Sequence, residues 1–337
     1  MKSQKIKRGE AVAEGLVLTR GVGALQKGRV LTAADVSALP GWPWTELQVI
    51  ELEPGDVHES VAGRRLSVAA AGEGVVSLPM EAGSFPIAAR TRGLLEIDAA
   101  RMASVNLIPD LALYSHPQGY LALENEIVAR VKIVPFVTRE ERVQQAEALA
   151  RGALIRLRAF VPMSCSLLVQ EELAEESLAK ARKAFEEKLA FFGSTLRTAR
   201  LVSGTADALA QALREEEQAG ARLIVVAGSR SMDPADPVLG ALPAAGAKME
   251  KHGVPVYPGT LLWLAWLPTA AVVGAPSCGI FSKTSSLDVV LPRLMTGERL
   301  GAAHLAELSS GGLISPSTSY RLAPYRKDAA RGHLLSE

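Results

Sequence analysis

The chain has 337 residues, and its composition of 48% hydrophobic but only 5% aromatic residues predicts cores built from Leu, Val and Ala side chains. The formal net charge is +1 with no long run of one sign, so the charge gives no reason to expect nucleic acid or an acidic membrane surface as a partner. The two cysteines, Cys165 and Cys278, lie far apart, which argues against a disulfide scaffold and favours a reduced, cytoplasmic compartment.

The N-terminal half mixes short strands with short helices. Residues 1–55 are predicted to form a small β-rich segment, in which Thr32 caps a short helix. Residues 56–152 are interpreted as a mixed α+β region. This region ends in a helix over 138–152, where Thr138 is the predicted cap and a glutamate three residues later completes a capping box.

The second half alternates strands and helices more regularly. Strands are predicted at residues 166–169, 195–202, 223–227, 255–257 and 270–273, and helices at 175–192, 207–220, 238–246 and 285–295. This alternation predicts an α/β fold with a mostly parallel, doubly wound sheet over residues 153–300. Residues 301–337 lose the periodicity and are expected to form an irregular tail. The most apolar stretch, 261–273, is broken by Pro268 and is too short to span a bilayer of about 30 Å.

The strand predicted at 223–227 ends in a loop of small and acidic residues, GSRSMDPAD. In open α/β sheets, ligands lie outside the carboxyl ends of the strands. The backbone N–H groups of Gly228, Ser229 and Ser231 are therefore predicted to form a nest for an anion such as phosphate.

Two aspartates of the same loop, Asp233 and Asp236, each stand next to a proline. Beside a bound anion, these carboxylates would hold a metal, a ribose or an amide group. The alternative interpretation is that Gly228 merely ends the strand and that the two Asp-Pro pairs form tight turns. The local pattern supports both interpretations.

Two later loops are candidates for the same site, YPGT at 257–260 and GAPSCG at 274–279. A glycine-rich turn that leads into a helix is suited to anions, because its free N–H groups and the helix dipole point the same way. Gly259, Gly274 and Ser277 are therefore predicted to bind a cofactor, with a plain turn as the alternative in each case.

Other familiar site motifs are missing from the sequence. The five histidines show no zinc-ligand spacing, so no metal site is predicted. No Gly-x-Ser-x-Gly elbow and no P-loop occur. Cys278 is more simply explained as a small buried side chain than as a ligand.

The order of these loops resembles the molybdopterin-binding domain family, shared by molybdopterin adenylyltransferase and molybdopterin molybdotransferase. The family's Thr-Gly-Gly loop with its later aspartate corresponds to AGSRSMDPAD, in which Asp236 falls on the aspartate. Pro258-Gly259 resembles the family's Pro-Gly turn, and the stretch GAPS from Gly274 resembles its Leu-Pro-Gly-Asn-Pro loop. The closing SSLDVVLPRLMTGERL is also similar. The opening AVAEGLVLTRGVGALQKGRVLTAADV resembles a subgroup with a β-rich N-terminal region.

The resemblance implies a function in molybdenum cofactor biosynthesis or handling. Its ligand would be the pterin molybdopterin, accompanied by Mg²⁺ or molybdate, in a homo-oligomeric protein of the cytoplasm. Asp236, with Asp233 as a second candidate, would be the catalytic residue and would hold a pterin amine or a metal. An enzyme of this type would be an adenylyl- or molybdo-transferase that works by positioning charge, without a covalent nucleophile.

Three departures from the family pattern leave other functions open. Ser229 replaces the second glycine, Pro237-Val238 replaces a Thr near a Pro, and the loop from Gln170 lacks the glycine of the family's Thr-Thr-Gly-Asn-Glu. The alternatives are a cofactor carrier or sensor without turnover, a scaffold domain with a decayed pocket, and a nucleotide-processing enzyme similar to the competence-damage proteins.

Overall fold

The structure is a computed structural model that describes residues 1–170, 174–228, 233–275 and 284–325. The chain divides into two compact units, the first comprising Met1–Thr91, Leu95–Gln118 and Ala122–Arg158, and the second Arg92–Leu94, Gly119–Leu121 and Ala159–Glu337. Within the described ranges, no helix combines the length and apolarity that a membrane crossing requires.

The first half of the chain contains many short elements. Its strands are β1 (Lys2–Lys7), β2 (Val17–Leu18), β3 (Glu46–Glu51), β4 (Asp56–His58), β5 (Val75–Ser77), β6 (Phe85–Ala89), β7 (Gly93–Ile97), β8 (Leu111–Ser115), β9 (Leu121–Ala122), β10 (Ile127–Ile133), β11 (Val137–Arg139) and β12 (Ile155–Ala159). Its helices are α1 (Ala33–Ala38), α2 (Glu59–Ala70), α3 (Ala99–Asn106) and α4 (Glu140–Ala150).

Two antiparallel sheets organise the first unit. The strands β1, β3 and β2 pair in that order around a small core that includes Leu18, Leu47 and Val49. The strands β5, β6, β10 and β8 form the second sheet. Helix α2 packs closely on it, because a Cβ atom at Gly63 would lie 2.5 Å from the ring of Phe85.

Two predicted helix caps have different outcomes. The cap at Thr32 is confirmed, because its hydroxyl accepts the backbone N–H of Asp35 at 3.2 Å. The cap at Thr138 is wrong. Thr138 belongs to β11, its hydroxyl donates to Asp110 Oδ2 at 2.8 Å, and the helix begins two residues later at Glu140.

The second half has longer elements. Its strands are β13 (Ser164–Val169), β14 (Thr195–Leu201), β15 (Leu223–Ala227), β16 (Lys248–His252), β17 (Trp263–Trp266) and β18 (Ala271–Ala275). Its described helices are α5 (Glu175–Phe191), α6 (Ala206–Gln218), α7 (Pro237–Ala244), α8 (Ser286–Met295) and α9 (Ala302–Ala306).

The six strands form one mixed sheet in the order β14-β13-β15-β18-β17-β16. The first four strands are parallel, and β17 and β16 extend the sheet antiparallel. From β13 the chain moves first to β14 on one side and then to β15 on the other. The strand order therefore reverses between β13 and β15, which is where open α/β sheets bind ligands.

Both faces of the three inner parallel strands, β13, β15 and β18, are buried, as expected of a doubly wound sheet. On one face Ile224, Val226 and Val272 pack with residues of α6 and α7. Because successive side chains point to opposite faces, Val225 and Val273 face the other side, where they are also fully buried. The predicted α/β fold class is confirmed.

Two strand predictions at the antiparallel edge differ from the structure. Residues 255–257 form no strand, and Tyr257 makes only an isolated bridge to Leu313. Strand β16, with the sequence KMEKH, was not predicted, because it is an edge strand whose polar side chains give no apolar pattern. In the predicted tail, helix α9 buries Leu305, so its described part is more ordered than expected.

Candidate functional site

The candidate site lies along the carboxyl edge of the parallel strands. Val169, Ala227 and Ala275, the last residues of β13, β15 and β18, stand side by side in register. The chain segments that follow these strands therefore meet at one edge. Three predicted cofactor-binding residues on these segments, Ser229, Ser231 and Ser277, lie outside the described residues, as does Cys278.

Gly228 leaves the central strand in a conformation that suits glycine. Its φ is +85°, in the left-handed region that costs other residues roughly 1–2 kcal/mol. Just before it, the carbonyl of Ala227 accepts the backbone N–H of Gln170 at 2.9 Å. This bond joins the ends of β13 and β15 at the point where the strand order reverses.

The two predicted aspartates occupy different environments. Asp236 is only 5% exposed and caps helix α7, with its Oδ1 accepting the backbone N–H of Val238 at 2.8 Å. Asp233 is exposed, and its Oδ1 accepts the N–H of Ala235 at 2.9 Å within the turn that leads to the helix. A buried carboxylate therefore begins the helix that follows β15, and the second carboxylate lies at the surface.

Gly259 is held tightly against the start of helix α8. Its φ is +105°, and a Cβ atom there would lie 2.5 Å from Ser286 Oγ. The Ser286 hydroxyl donates to the carbonyl of Gly259 at 2.6 Å, and the Ser286 N–H donates to the carbonyl of Pro258 at 2.8 Å. The Pro258–Gly259 turn precedes β17, which starts beside the carboxyl end of β18, so the turn belongs to the same edge.

Gly274 lies inside a strand, and the prediction that a turn begins there is wrong. Strand β18 continues to Ala275, and Gly274 is paired with Trp263 of β17. A Cβ atom at Gly274 would overlap the Trp263 ring, which is itself only 1% exposed. Close packing therefore explains this glycine without a ligand.

Sequence reasoning missed two polar atoms at this edge. In the part of the chain that the structure describes, Gln170 Oε1, directly after β13, and Ser285 Oγ, directly before α8, are buried and have no hydrogen-bond partner. An unsatisfied buried polar atom costs about 1–3 kcal/mol, and such atoms are rare in native proteins unless water or a ligand completes them. The position of Gln170 at a strand's carboxyl end was the available signal.

The described residues include one buried cysteine and no cluster typical of a metal site. No group of three His, Cys, Asp or Glu side chains among the described residues is arranged to hold a metal ion. Burial raises the pKa of the Cys165 thiol to about 12, so this cysteine stays protonated and unreactive at neutral pH. The site as described offers hydrogen-bonding groups and one buried carboxylate.

No protein-family model matches the chain, and no curated protein matches it significantly. Three solved structures align with parts of it. CinA from Thermoplasma acidophilum, of unknown function, is 15% identical, with a TM-score of 0.29 over 34% of this chain and 89% of that chain. The molybdopterin biosynthesis protein MoeA from Pyrococcus horikosii is 12% identical, with a TM-score of 0.31; the alignment covers 74% of this chain and 76% of MoeA. A protein from Corynebacterium diphtheriae, described as belonging to molybdenum cofactor biosynthesis, is 15% identical, with a TM-score of 0.25. The alignment covers 37% of this chain and 100% of that protein. At these scores the alignments carry no functional argument.

Proposed function

We propose that this protein binds molybdopterin at the carboxyl edge of its six-stranded sheet and takes part in making or handling the molybdenum cofactor. One observation carries the proposal: the buried, unpartnered amide oxygen of Gln170 lies where the strand order reverses, next to the left-handed Gly228. The order of the loops along the sequence supports the same ligand.

The described groups suit the parts of a molybdopterin molecule. A pterin ring presents amide and amino N–H groups, and the side chain of Gln170 offers an acceptor oxygen beside two donor hydrogens. The carboxylate of Asp236 would orient the amino groups by accepting hydrogen bonds in addition to that of Val238 N–H. The phosphate would lie against the N–H group at Gly228 and beside the hydroxyl of Ser285, the residue before α8.

The test is the pterin content of the purified protein. The full chain is produced in cells that make molybdopterin, and the bound cofactor is oxidised to its fluorescent form and quantified. Asp236→Asn keeps the helix cap, because Asn caps as well as Asp, but removes the charge. We expect its pterin content to fall about tenfold, as the loss of one charge-assisted hydrogen bond requires.

Asp233→Asn is the matched control, because it makes the same chemical change on an exposed residue of the same turn. It should retain as much pterin as the wild type. Wild-type protein without pterin, or an equal loss in both variants, would contradict the proposal.

A further inference from the structure

A buried ion pair joins helices α5 and α8. Lys188 Nζ lies 2.6 Å from Asp288 Oδ1, and the two side chains are 3% and 4% exposed. Taking two charges out of water costs several kcal/mol for each, and buried pairs of this kind can often be replaced by apolar residues without loss of stability. Stability alone therefore does not explain why this pair is ionic.

The pair is connected to the Pro258–Gly259 turn by a series of hydrogen bonds. The second carboxylate oxygen of Asp288 accepts the backbone N–H of Ser285 at 2.9 Å, which fixes the residue before α8. The next residue, Ser286, donates from its N–H to Pro258 and from its hydroxyl to Gly259. Asp288 thus sets the first turn of α8, and that turn sets the position of Gly259.

Lys188 contacts this arrangement through Asp288. Its ammonium lies 5.3 Å from the centre of the ring of Tyr325, a residue of the C-terminal segment. The same ring packs edge-on against Phe191 and Phe192. Burial raises the pKa of the Tyr325 hydroxyl well above its ordinary value, which fits a site closed to water. In such surroundings, the charge of Asp288 depends on Lys188 for its balance.

We propose that Asp288 is a positioning residue for the pterin site: with its charge balanced by Lys188, it holds the start of α8 and the attached Pro258–Gly259 turn in their binding positions. The inference rests on the proposed function for the identity of the ligand. The hydrogen-bonded connection from Asp288 to Gly259 does not depend on any ligand.

Two double variants separate positioning from mere stability. Lys188→Met alone leaves an unbalanced carboxylate and is expected to be unstable. Lys188→Met with Asp288→Asn removes both charges, and the Asn oxygen can still accept the Ser285 N–H. Lys188→Met with Asp288→Leu also removes both charges, but the acceptor for Ser285 is lost. Both double variants should therefore fold, and only one keeps the connection to the turn.

The first measurement is hydrogen exchange of the 257–262 segment in the ligand-free protein. Exchange should stay at the wild-type rate in the Asn double variant and become faster in the Leu double variant. Equal exchange in both would overturn the positioning role, whatever the ligand is.

The second measurement is the affinity for molybdopterin at matched stability. The Leu double variant should bind about tenfold more weakly than the Asn double variant, which is the size of effect that residues acting through a network produce. Equal affinities would overturn the inference. Wild-type protein that binds no molybdopterin would overturn the proposed function, and the exchange result would still decide whether Asp288 positions the turn.

Discussion

A glycine can allow either a ligand or another part of the chain to lie close to the backbone. Gly259 and Gly274 were both predicted to bind a cofactor, since glycine lets a ligand approach the backbone. In the structure the space beside Gly259 is taken by Ser286 and the space beside Gly274 by Trp263. The sequence indicated that something lies close to these backbones, and only the fold reveals that it is another part of the chain.

Gly274→Ala should destabilise the protein. The new methyl group overlaps the buried ring of Trp263, and overpacking of this kind costs typically about 1–3 kcal/mol. Thermal unfolding would measure the loss.

Gly240→Ala is the matched control: it lies within α7, and its Cβ atom would meet no atom closer than 3.4 Å. Alanine there should stabilise the helix by about 0.5–1 kcal/mol. Equal effects at both positions would contradict the packing explanation.

Glu59 is a buried carboxyl that makes no hydrogen bond or ion pair within the described part of the chain. It is 9% exposed, and a Cβ atom at Gly28 would lie 2.7 Å from its Oε1. Burial raises the pKa of Glu59, partly offset by the charges of His58, Lys132 and Lys27. The folded chain therefore binds this proton more tightly than the unfolded chain does.

Because the folded pKa is raised, the wild type loses stability as the pH rises from the ordinary Glu value of 4.5 through the folded pKa. Glu59→Gln removes this loss and should raise the unfolding temperature at pH 7 by a few degrees, about 2–4 °C for each kcal/mol. The advantage should shrink below pH 4.5, where the wild-type carboxyl is protonated in both states. Glu124→Gln, at an exposed position, should show neither effect. A pH-independent difference would contradict the account.

At the scale of elements, helix caps show where local rules hold. Thr32 and Asp35 satisfy each other locally, so the sequence alone was sufficient to predict the start of α1. Thr138 belongs to the same kind of pattern, but β11 pairs with β4 and the hydroxyl is taken by Asp110. A partner 28 residues away outcompeted the local cap.

Helices α2 and α4 are joined by one arginine fork. Arg65 donates to Glu140 at 2.7 and 2.9 Å and to Glu147 at 2.9 and 2.7 Å. Lysine cannot reproduce this planar geometry. Arg65→Lys should therefore lower the free energy of unfolding by about 1 kcal/mol, less in high salt because the pairs are partly exposed. Urea titrations would measure this loss.

Arg64→Lys, on the exposed neighbouring residue, should leave the free energy of unfolding unchanged. An equal loss in that variant would contradict the stabilising role of the Arg65 guanidinium.

For the whole molecule, the alternation of strands and helices was sufficient to predict the parallel sheet, at whose carboxyl edge we propose the site. The antiparallel extension was only partly predictable, because β16 is defined by its pairing with β17 and not by an apolar pattern. For the side-chain oxygen of Gln170, the only signal in the sequence was its position at the carboxyl end of β13, and its lack of a partner could not be predicted. An unsatisfied amide is a property of the surroundings that the fold creates.

The central claim is that the edge between β13 and β15 binds a pterin, and the most direct test is a molybdopterin titration of Gln170→Leu. Leucine removes the unpartnered amide oxygen, so the ligand-free variant should be about 1 kcal/mol more stable than the wild type while its affinity falls about tenfold or more. Gln218→Leu, the same change on the exposed end of α6, should leave affinity unaltered. Wild-type affinity in Gln170→Leu, or no binding by the wild type, would contradict the account.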